Sequence, residues 1–349
     1  MTNSSSPSRL SGVSTVRVLP LLISQILIGV LIVGAFVGVY VGLQREPTPN
    51  HLPLAVVGSA LAVPAQGALG QKATITTSAN ASAAEQLVKN HKVVAALIPT
   101  ESGLRLVTAG AAGRSATAAA TAIAARIAAA AHMKITSTED LVPLAKYDAQ
   151  GLSGFYVVFG STLAAFIVAQ ILQSMASIIR LRWRVVTVIV GSVASALIAT
   201  ILAGPIYGAI PAPPVELLLC LSLLGAAVAL STLAIVSWIG PLGNIIATVL
   251  FTTLGNATSG ATISAFLMPA FLAQLGALLP PGAAFNAVVN FSYFHGTNTT
   301  ETLLILVLWI AVASGTLLIH TRRASQRPAA QDISADGFTS IAPSGHQPA

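Results

Sequence analysis

The sequence predicts an α-helical integral membrane protein of six spans, with a re-entrant helical pair before the last span and a small extracytoplasmic α/β domain between spans one and two. Three observations support this fold class. The chain of 349 residues is 54% hydrophobic and 8% charged, whereas soluble domains carry about 25% charged residues. Apolar runs long enough to cross a bilayer recur along it. One segment of mixed composition, residues 44–152, interrupts these runs.

The first apolar run predicts a transmembrane helix that stays attached to the chain. Residues 1–18 are rich in serine and predict a short cytoplasmic N-terminal tail. Residues 19–43 contain no charged residue, and this run exceeds the apolar core of about 7–15 residues that a cleavable signal sequence has. We therefore expect an uncleaved first span.

Charged residues return in residues 44–152, where short apolar strands alternate with alanine-rich helical segments. Ser82 and Glu85 have the spacing of a capping box and predict the start of a helix. A longer helix is expected from Ser115 onward. Strands are predicted at 52–58, 93–100 and 103–110. Together these elements predict a small α/β domain in water.

Residues 153–320 predict a bundle of five membrane elements. Four apolar runs in this part of the chain are long enough to cross a bilayer: 151–179, 185–210, 215–238 and 302–320. The run 245–254 is too short to cross alone, because a spanning helix needs about 20 residues. It must begin earlier or continue into the chain that follows. Residues 321–349 are polar, contain Pro and Ser, and predict a disordered cytoplasmic tail.

Within the bundle, residues 255–296 contain no charged residue but cannot form one straight helix. Pro269 and the sequence Pro280-Pro281-Gly282 interrupt it, because proline lacks a backbone N–H and its ring clashes with the preceding turn. Irregular backbone at membrane depth is tolerated only where protein or a water-filled cavity satisfies its polar groups. We expect a re-entrant pair that lines a path or gate. A plain apolar helix followed by a solvated loop is the alternative.

The positions of the arginines indicate which ends of the spans face the cytoplasm. The short segments 204–216 and 255–301 contain no Lys or Arg, whereas the opposite ends carry Arg9, Arg17, Arg180, Arg182, Arg184, Arg322, Arg323 and Arg327. Positively charged short loops stay in the cytoplasm. The pattern predicts that both termini are cytoplasmic and that the α/β domain faces outward. The alanine-rich, lysine-poor composition is typical of a high-GC bacterium, so we expect a multi-pass protein of the bacterial plasma membrane.

The sequence offers no pattern for a catalytic, metal or cofactor site, and no enzyme activity is expected. Glu216, Glu301 and His320 lie at the ends of spans, and no acid–base or ligand spacing joins them. The segment 255–262 resembles a phosphate-binding loop but has Ala261 where that loop requires lysine. The net charge of +7 is distributed over the ends of apolar spans, which argues against nucleic-acid binding.

The turn between the second and third spans contains Arg180, Arg182, Trp183 and Arg184. These four residues have two possible interpretations. In the first, they anchor the bundle at the cytoplasmic surface with an interfacial aromatic ring. In the second, they dock onto a cytoplasmic partner.

Several motifs along the chain suggest a family. The outer domain closes in PLAKYDAQGLSGFY at 143–156, and later motifs are GPLGN at 240–244, GNATSG at 255–260 and the long LMPAF…FHG stretch at 267–296. With the N-terminal span and the compact outer domain, these motifs resemble the type-2 ABC exporter permeases, specifically the phage-infection-protein (Pip-like) branch and its actinobacterial relatives. The resemblance covers nearly all of residues 19–323. That branch often has a longer, coiled outer segment, which this chain lacks.

The apolar runs predict contact with membrane lipid. The resemblance implies a cytoplasmic ATP-binding subunit as partner and a homodimer or heterodimer of permeases. It implies a coupling turn to the ATPase at Arg180, Arg182, Trp183 and Arg184. It also implies a re-entrant gate that contains Gly255, Gly260, Pro269, Pro280, Pro281, Gly282, Tyr293 and Phe294.

The resemblance implies the membrane permease subunit, without its own ATPase, of an ATP-driven exporter for a hydrophobic or amphipathic substrate. An uncharged spanning surface suits such a substrate better than an ion. The alternative is a non-transporting envelope protein whose outer domain binds a partner, lipid or phage. A membrane anchor alone does not require a broken, proline-containing segment at membrane depth.

Overall fold

A computed structural model describes residues 15–325 of the chain. Its first helix, α1, spans Thr15–Arg45. The predicted tail at 1–18 therefore lies largely outside the described residues, and its last four positions belong to α1. The last helix, α12, spans Thr299–Ser325, so it continues past the predicted start of the C-terminal tail at 321. No Pro or Gly interrupts those extra residues, and positions 326–349 lie outside the described part.

The mixed segment forms a five-stranded sheet with strand order β2-β1-β3-β4-β5. β1 runs parallel to β2 and β3, β3 and β4 form an antiparallel hairpin, and β5 runs parallel to β4. The strands are β1 Leu52–Val57, β2 Ala73–Ser78, β3 Ala95–Thr100, β4 Gly103–Thr108 and β5 Ile135–Asp140. The sequence predicted β1, β3 and β4. It missed β2 and β5, because these edge strands are rich in Thr and Ser and show little apolar alternation.

Three helices flank the sheet: α2 Ser59–Leu69, α3 Ala81–Lys89 and α4 Arg114–Ala130. α2 and α4 cover one face, and α3 covers the other. The predicted capping box is wrong, because α3 begins earlier, where the side chain of Asn80 accepts a 2.8 Å hydrogen bond from the backbone N–H of Ala83. Asn caps a helix as well as Ser does. Glu85 instead forms a salt bridge with Arg105.

The membrane bundle is built around α7. Its long helices are α5 Ser153–Ser174, α6 Leu181–Ile201, α7 Pro214–Ile239 and α12. A π-helical turn at Leu202–Ile206 extends α6. Within its most apolar window α7 is 72% buried, against 17–33% for α5, α6 and α12. The three helices around α7 therefore leave broad apolar surfaces for lipid, as the fold class predicts.

The element after α7 is a short apolar helix of three joined parts. α8 (Leu242–Ala247) continues through a π-helical segment (Thr248–Leu254) into α9 (Gly255–Ala257). The helix is shorter than the roughly 20 residues needed to cross a bilayer. It starts near the end of α7 and ends inside the predicted re-entrant segment.

The rest of that segment contains two helices that meet at a sharp bend. α10 (Ala270–Leu278) and α11 (Pro280–Tyr293) are bent by 82° relative to each other. We call them the bent pair. The described residues thus contain five helices long and apolar enough to cross a membrane, or six if the bent pair is one crossing. This agrees with a multi-pass membrane protein, and the number of spans and their orientation stay predictions.

Candidate functional site

The bend has a simple local cause. Leu279 is extended (φ −81°, ψ 144°), because proline disfavours helical backbone in the residue before it. Pro280 and Pro281 then occupy the first turn of α11, where a missing N–H costs nothing. Trp309 of α12 donates a 2.8 Å hydrogen bond to the carbonyl of Leu278 at the end of α10. The backbone at the bend is therefore satisfied by the protein itself.

Glycines let the backbone pack closely around the bend. A Cβ atom on Gly276 would lie 1.9 Å from the carbonyl oxygen of Thr258, and one on Gly282 would lie 2.0 Å from the carbonyl oxygen of Gly276. A Cβ on Gly255 would lie 2.8 Å from Cγ of Pro281. Only glycine permits such contacts. The bent pair is thus locked against the irregular chain that follows α9.

The α/β domain of residues 44–152, which we call the outer domain after its predicted orientation, rests on the end of the bent pair. Nδ1 of His91, just after α3, lies 2.7 Å from Oδ1 of Asn290 in α11. The same imidazole stacks on Phe294, with ring centroids 3.9 Å apart and planes within 6°. Phe294 is fully buried. The backbone N–H of Ala145 donates a 3.3 Å hydrogen bond to the hydroxyl of Tyr293.

Burial lowers the pKa of His91 below its ordinary value of 6.5. The hydrogen bond with Asn290 opposes this shift, and the nearby charge of Lys92 adds to it. The imidazole is therefore neutral at neutral pH while the outer domain is docked, that is, while His91 contacts Asn290 and Phe294. The backbone of His91 is left-handed, with φ 54°, as is common for the residue that follows the end of a helix. Three other histidines have φ of 52–53°.

A second set of contacts ties the loop before α10 to the outer domain. The backbone N–H of Ser264 donates a 2.9 Å hydrogen bond to Oγ of Ser115, at the start of α4. The backbone N–H of Asn50 donates a 2.8 Å hydrogen bond to the carbonyl of Phe266. The outer domain is thus joined to both ends of the segment that contains the bend.

A cavity of about 610 Å³, the interface cavity, lies between the outer domain and the bent pair. Its volume falls within the roughly 300–1,000 Å³ typical of ligand pockets, which occur preferentially at domain interfaces. The outer domain contributes His91, Lys92 and Arg114, and α11 contributes Phe285 and Asn286 among others. In the part of the chain that the structure describes, the side-chain amide of Asn286 has no hydrogen-bond partner. The wall therefore offers both apolar rings and a free polar group.

The predicted gate residues fall into two groups. Gly255, Pro280, Pro281 and Gly282 meet at the bend, and Pro269 immediately precedes α10. The other three lie towards the outer domain: Tyr293 and Phe294 contact it, and Gly260 lines the interface cavity.

The four residues of the predicted coupling turn are not equivalent. Arg180, Arg182 and Trp183 are exposed, and the guanidinium of Arg182 lies 5.8 Å from the Trp183 ring centroid. Arg184 is only 7% exposed and donates a 2.6 Å hydrogen bond to the side-chain oxygen of Gln173 in α5. Arg184 therefore joins α5 to α6 and is not part of the exposed turn.

Four residues of the site were not predicted from the sequence: His91, Asn286, Asn290 and Trp309. Asn286 and Asn290 did carry a signal, since two amides four residues apart share one face of an otherwise apolar helix. His91 carried none, because its partner lies far away along the chain. The phosphate-loop resemblance at 255–262 has no structural support, since a helix and not a strand precedes it.

Among residues 15–325, no three His, Cys, Asp or Glu side chains are close enough to hold a metal ion together. Comparison with protein-family models, curated proteins and solved structures finds no match to this chain.

Proposed function

We propose that the chain is the membrane permease subunit of an ATP-driven exporter that moves a hydrophobic or amphipathic substrate past the bent pair. The observation that carries the proposal is the interface cavity, which lies between the bent pair and the outer domain. Its wall combines aromatic rings, such as Phe266 and Phe285, with the free amide of Asn286. This mixture suits a molecule with an apolar body and a polar head.

The energy for transport comes from a second polypeptide in this proposal. The described residues contain no strand followed by a glycine-rich loop with lysine, the phosphate-binding loop of P-loop ATPases. Arg180, Arg182 and Trp183 provide an exposed basic turn for a cytoplasmic ATP-binding subunit. Arg184 is excluded from this contact because it is buried.

One helix links the two sites. α5 runs from Ser153, beside the cavity, to Ser174, beside the basic turn. Gly154 at its outer end packs closely against Phe285 of α11, since a Cβ there would lie 3.4 Å from the Phe285 ring. In this proposal α5 shifts as one unit, so that movement of the turn displaces Gly154 in the wall of the cavity. ATP-driven movement of the partner would thereby open the outer exit.

The test is a mild-detergent pull-down of the tagged chain with ATPase activity measured in the eluate. Wild type is compared with the double variant Arg180→Ala/Arg182→Ala. Lys89→Ala/Lys146→Ala is the matched control, because it removes the same charge from the outer domain. We expect ATPase activity with wild type and the control, and its loss from the Arg180/Arg182 variant at equal membrane insertion.

Two outcomes would contradict the proposal. If no eluate contains an ATPase, the non-transporting envelope protein becomes the better explanation. If the ATPase stays bound to the Arg180/Arg182 variant, the turn is only a positive-inside anchor and the proposed route through α5 is wrong.

A further inference from the structure

A second cavity lies within the outer domain and shares no lining residue with the interface cavity. α2 and α4 cover the same face of the sheet, and a cavity of about 400 Å³ occupies the space between α2 and the C-terminal half of α4. We call it the α2–α4 cavity. Its wall is mainly apolar and includes Leu61, Ala65, Leu69, Ile127 and Met133.

The charged residues of this cavity are all positive. Lys72 and Arg126 line it, and no Asp or Glu does. Both side chains are exposed. Within residues 15–325, neither has a salt-bridge or hydrogen-bond partner.

The carboxylates of the outer domain that have partners do not neutralise these two cations. Glu85 and Glu139 both pair with Arg105. Asp140 and Asp148 accept hydrogen bonds from backbone N–H groups elsewhere in the domain. The α2–α4 cavity therefore combines apolar volume with positive charge that the described part of the fold leaves available.

We propose that the α2–α4 cavity binds an anionic amphiphile with a single acyl chain. The chain occupies the apolar interior, which removes its surface from water, and the head group lies between Lys72 and Arg126. Arginine pairs well with carboxylate and with phosphate, so a fatty acid and a lysophospholipid with a phosphate head share the required chemistry. The volume is within the range of small-molecule pockets. This binding is independent of the proposed export, because it requires no ATPase.

The test uses the full-length chain in nanodiscs of phosphatidylcholine and a photoreactive palmitate analogue. Cross-linked peptides are mapped by mass spectrometry. We expect cross-links in α2 and in the C-terminal half of α4. Palmitate and palmitoyl lysophosphatidic acid are then added separately as competitors, and their relative strength distinguishes a carboxylate from a phosphate head. Monopalmitoylglycerol has the same chain without charge, and we expect it to compete poorly.

Two variants separate charge from volume. Lys72→Gln/Arg126→Gln should weaken binding about tenfold, because each exposed charge pair changes affinity only a few-fold. Lys89→Gln/Lys146→Gln removes the same charge elsewhere in the outer domain and should bind like wild type. Ala130→Leu fills the cavity from an exposed helix position and should weaken binding with the charges intact.

Three results would overturn the proposal. The first is equal competition by monopalmitoylglycerol, and the second is unchanged cross-linking in the Lys72/Arg126 variant. The third is cross-linking confined to the membrane helices, which would mean that the probe samples only the bilayer.

Discussion

α7 and the bent pair are both apolar but follow different paths. α7 is one continuous helix with Glu216 as its only charged residue, whereas the bent pair turns by 82°. The prolines explain the difference. Pro214 stands in the first turn of α7, where proline is tolerated. Pro280 and Pro281 stand in the middle of an apolar run and force a second helix to begin. Apolar composition thus suits both segments to a membrane, and the position of proline sets the path of each.

The two regions also pack differently. α7 packs through its own side chains, of which Leu221 and Leu224 are fully buried. The bent pair is held by backbone contacts at Gly276 and Gly282. The bent pair also contacts the outer domain, through the hydrogen bond between Asn290 and His91. The bend should therefore be more sensitive than α7 to added atoms and to the removal of hydrogen bonds.

The largest expected effect is that of Gly276→Ala. Its Cβ would meet the Thr258 carbonyl at 1.9 Å, and backbone cannot move aside, so the free energy of unfolding should fall by at least about 3 kcal/mol, the upper end of ordinary overpacking. Gly225→Ala in α7 meets the Ser192 hydroxyl at 2.8 Å and should cost about 1–2 kcal/mol.

Gly191→Ala is the control for this pair, because a Cβ there meets nothing within 4 Å. It should be neutral or stabilising by about 0.5–1 kcal/mol. Unfolding by SDS in mixed micelles measures all three variants. Equal stability of Gly276→Ala and Gly191→Ala would show that the backbone contact at the bend is absent.

The next effect is that of Trp309→Phe. It removes the donor to the Leu278 carbonyl at the bend, which has no helical partner, so the free energy of unfolding should fall by about 1–3 kcal/mol. Trp238→Phe removes a 3.2 Å bond to the Thr316 carbonyl, which lies within a continuous helix. That change should cost less than about 1 kcal/mol. Unfolding by SDS measures the stability loss of both variants. A larger loss for Trp238→Phe than for Trp309→Phe would refute the role of Trp309.

Pro280→Ala/Pro281→Ala should lower the free energy of unfolding by only about 1–2 kcal/mol. We expect this variant to change the geometry of the bend as well. It removes the restriction on Leu279, while the contact of Gly282 with Gly276 still favours the bend. We therefore expect a second, longer distance between spin labels, approaching the roughly 32 Å of a straight helix.

The labels for this measurement are placed at Phe271→Cys and Ser292→Cys. The background is Cys220→Ala, since Cys220 is the single cysteine of the chain. The same label pair with both prolines retained is the reference. An unchanged distance distribution would mean that packing alone creates the bend.

The smallest effect is the pH dependence of domain docking. Burial lowers the pKa of docked His91, so the undocked state binds a proton more readily. Docking should be constant above about pH 6.5, the ordinary histidine pKa, and should weaken as pH falls below it. The change in docking with pH is small, because a protonated His91 ring can still donate its Nδ1–H to Oδ1 of Asn290.

Hydrogen exchange of α3 and α11 at pH 5 and pH 7.5 measures this change. His91→Gln should remove the pH dependence. His132→Gln is the control, because His132 follows α4 with the same left-handed backbone, and it should keep the dependence. A pH response that survives His91→Gln would assign the titration to another group.

Much of the fold was predictable because it depends on patterns close in sequence. Long apolar runs predicted the helices of the bundle, and alternation predicted β1, β3 and β4. The capping of α3 was not predictable, since Asn80 and Ser82 are both good N-caps and only the fold selects one. Arg184 was grouped with Arg180 and Arg182 because the three lie close together in sequence, yet the two-residue offset from Arg182 along α6 turns it inward.

The sequence by itself determined which segments suit a membrane and where the chain must break, because hydropathy and the missing N–H of proline act locally. Only the tertiary structure decided what each break contacts. The stack of His91 on Phe294, the capping of Leu278 by Trp309 and the interface cavity all join residues far apart in the chain. Such contacts depend on the positions of whole helices and domains, and no local pattern specifies those positions.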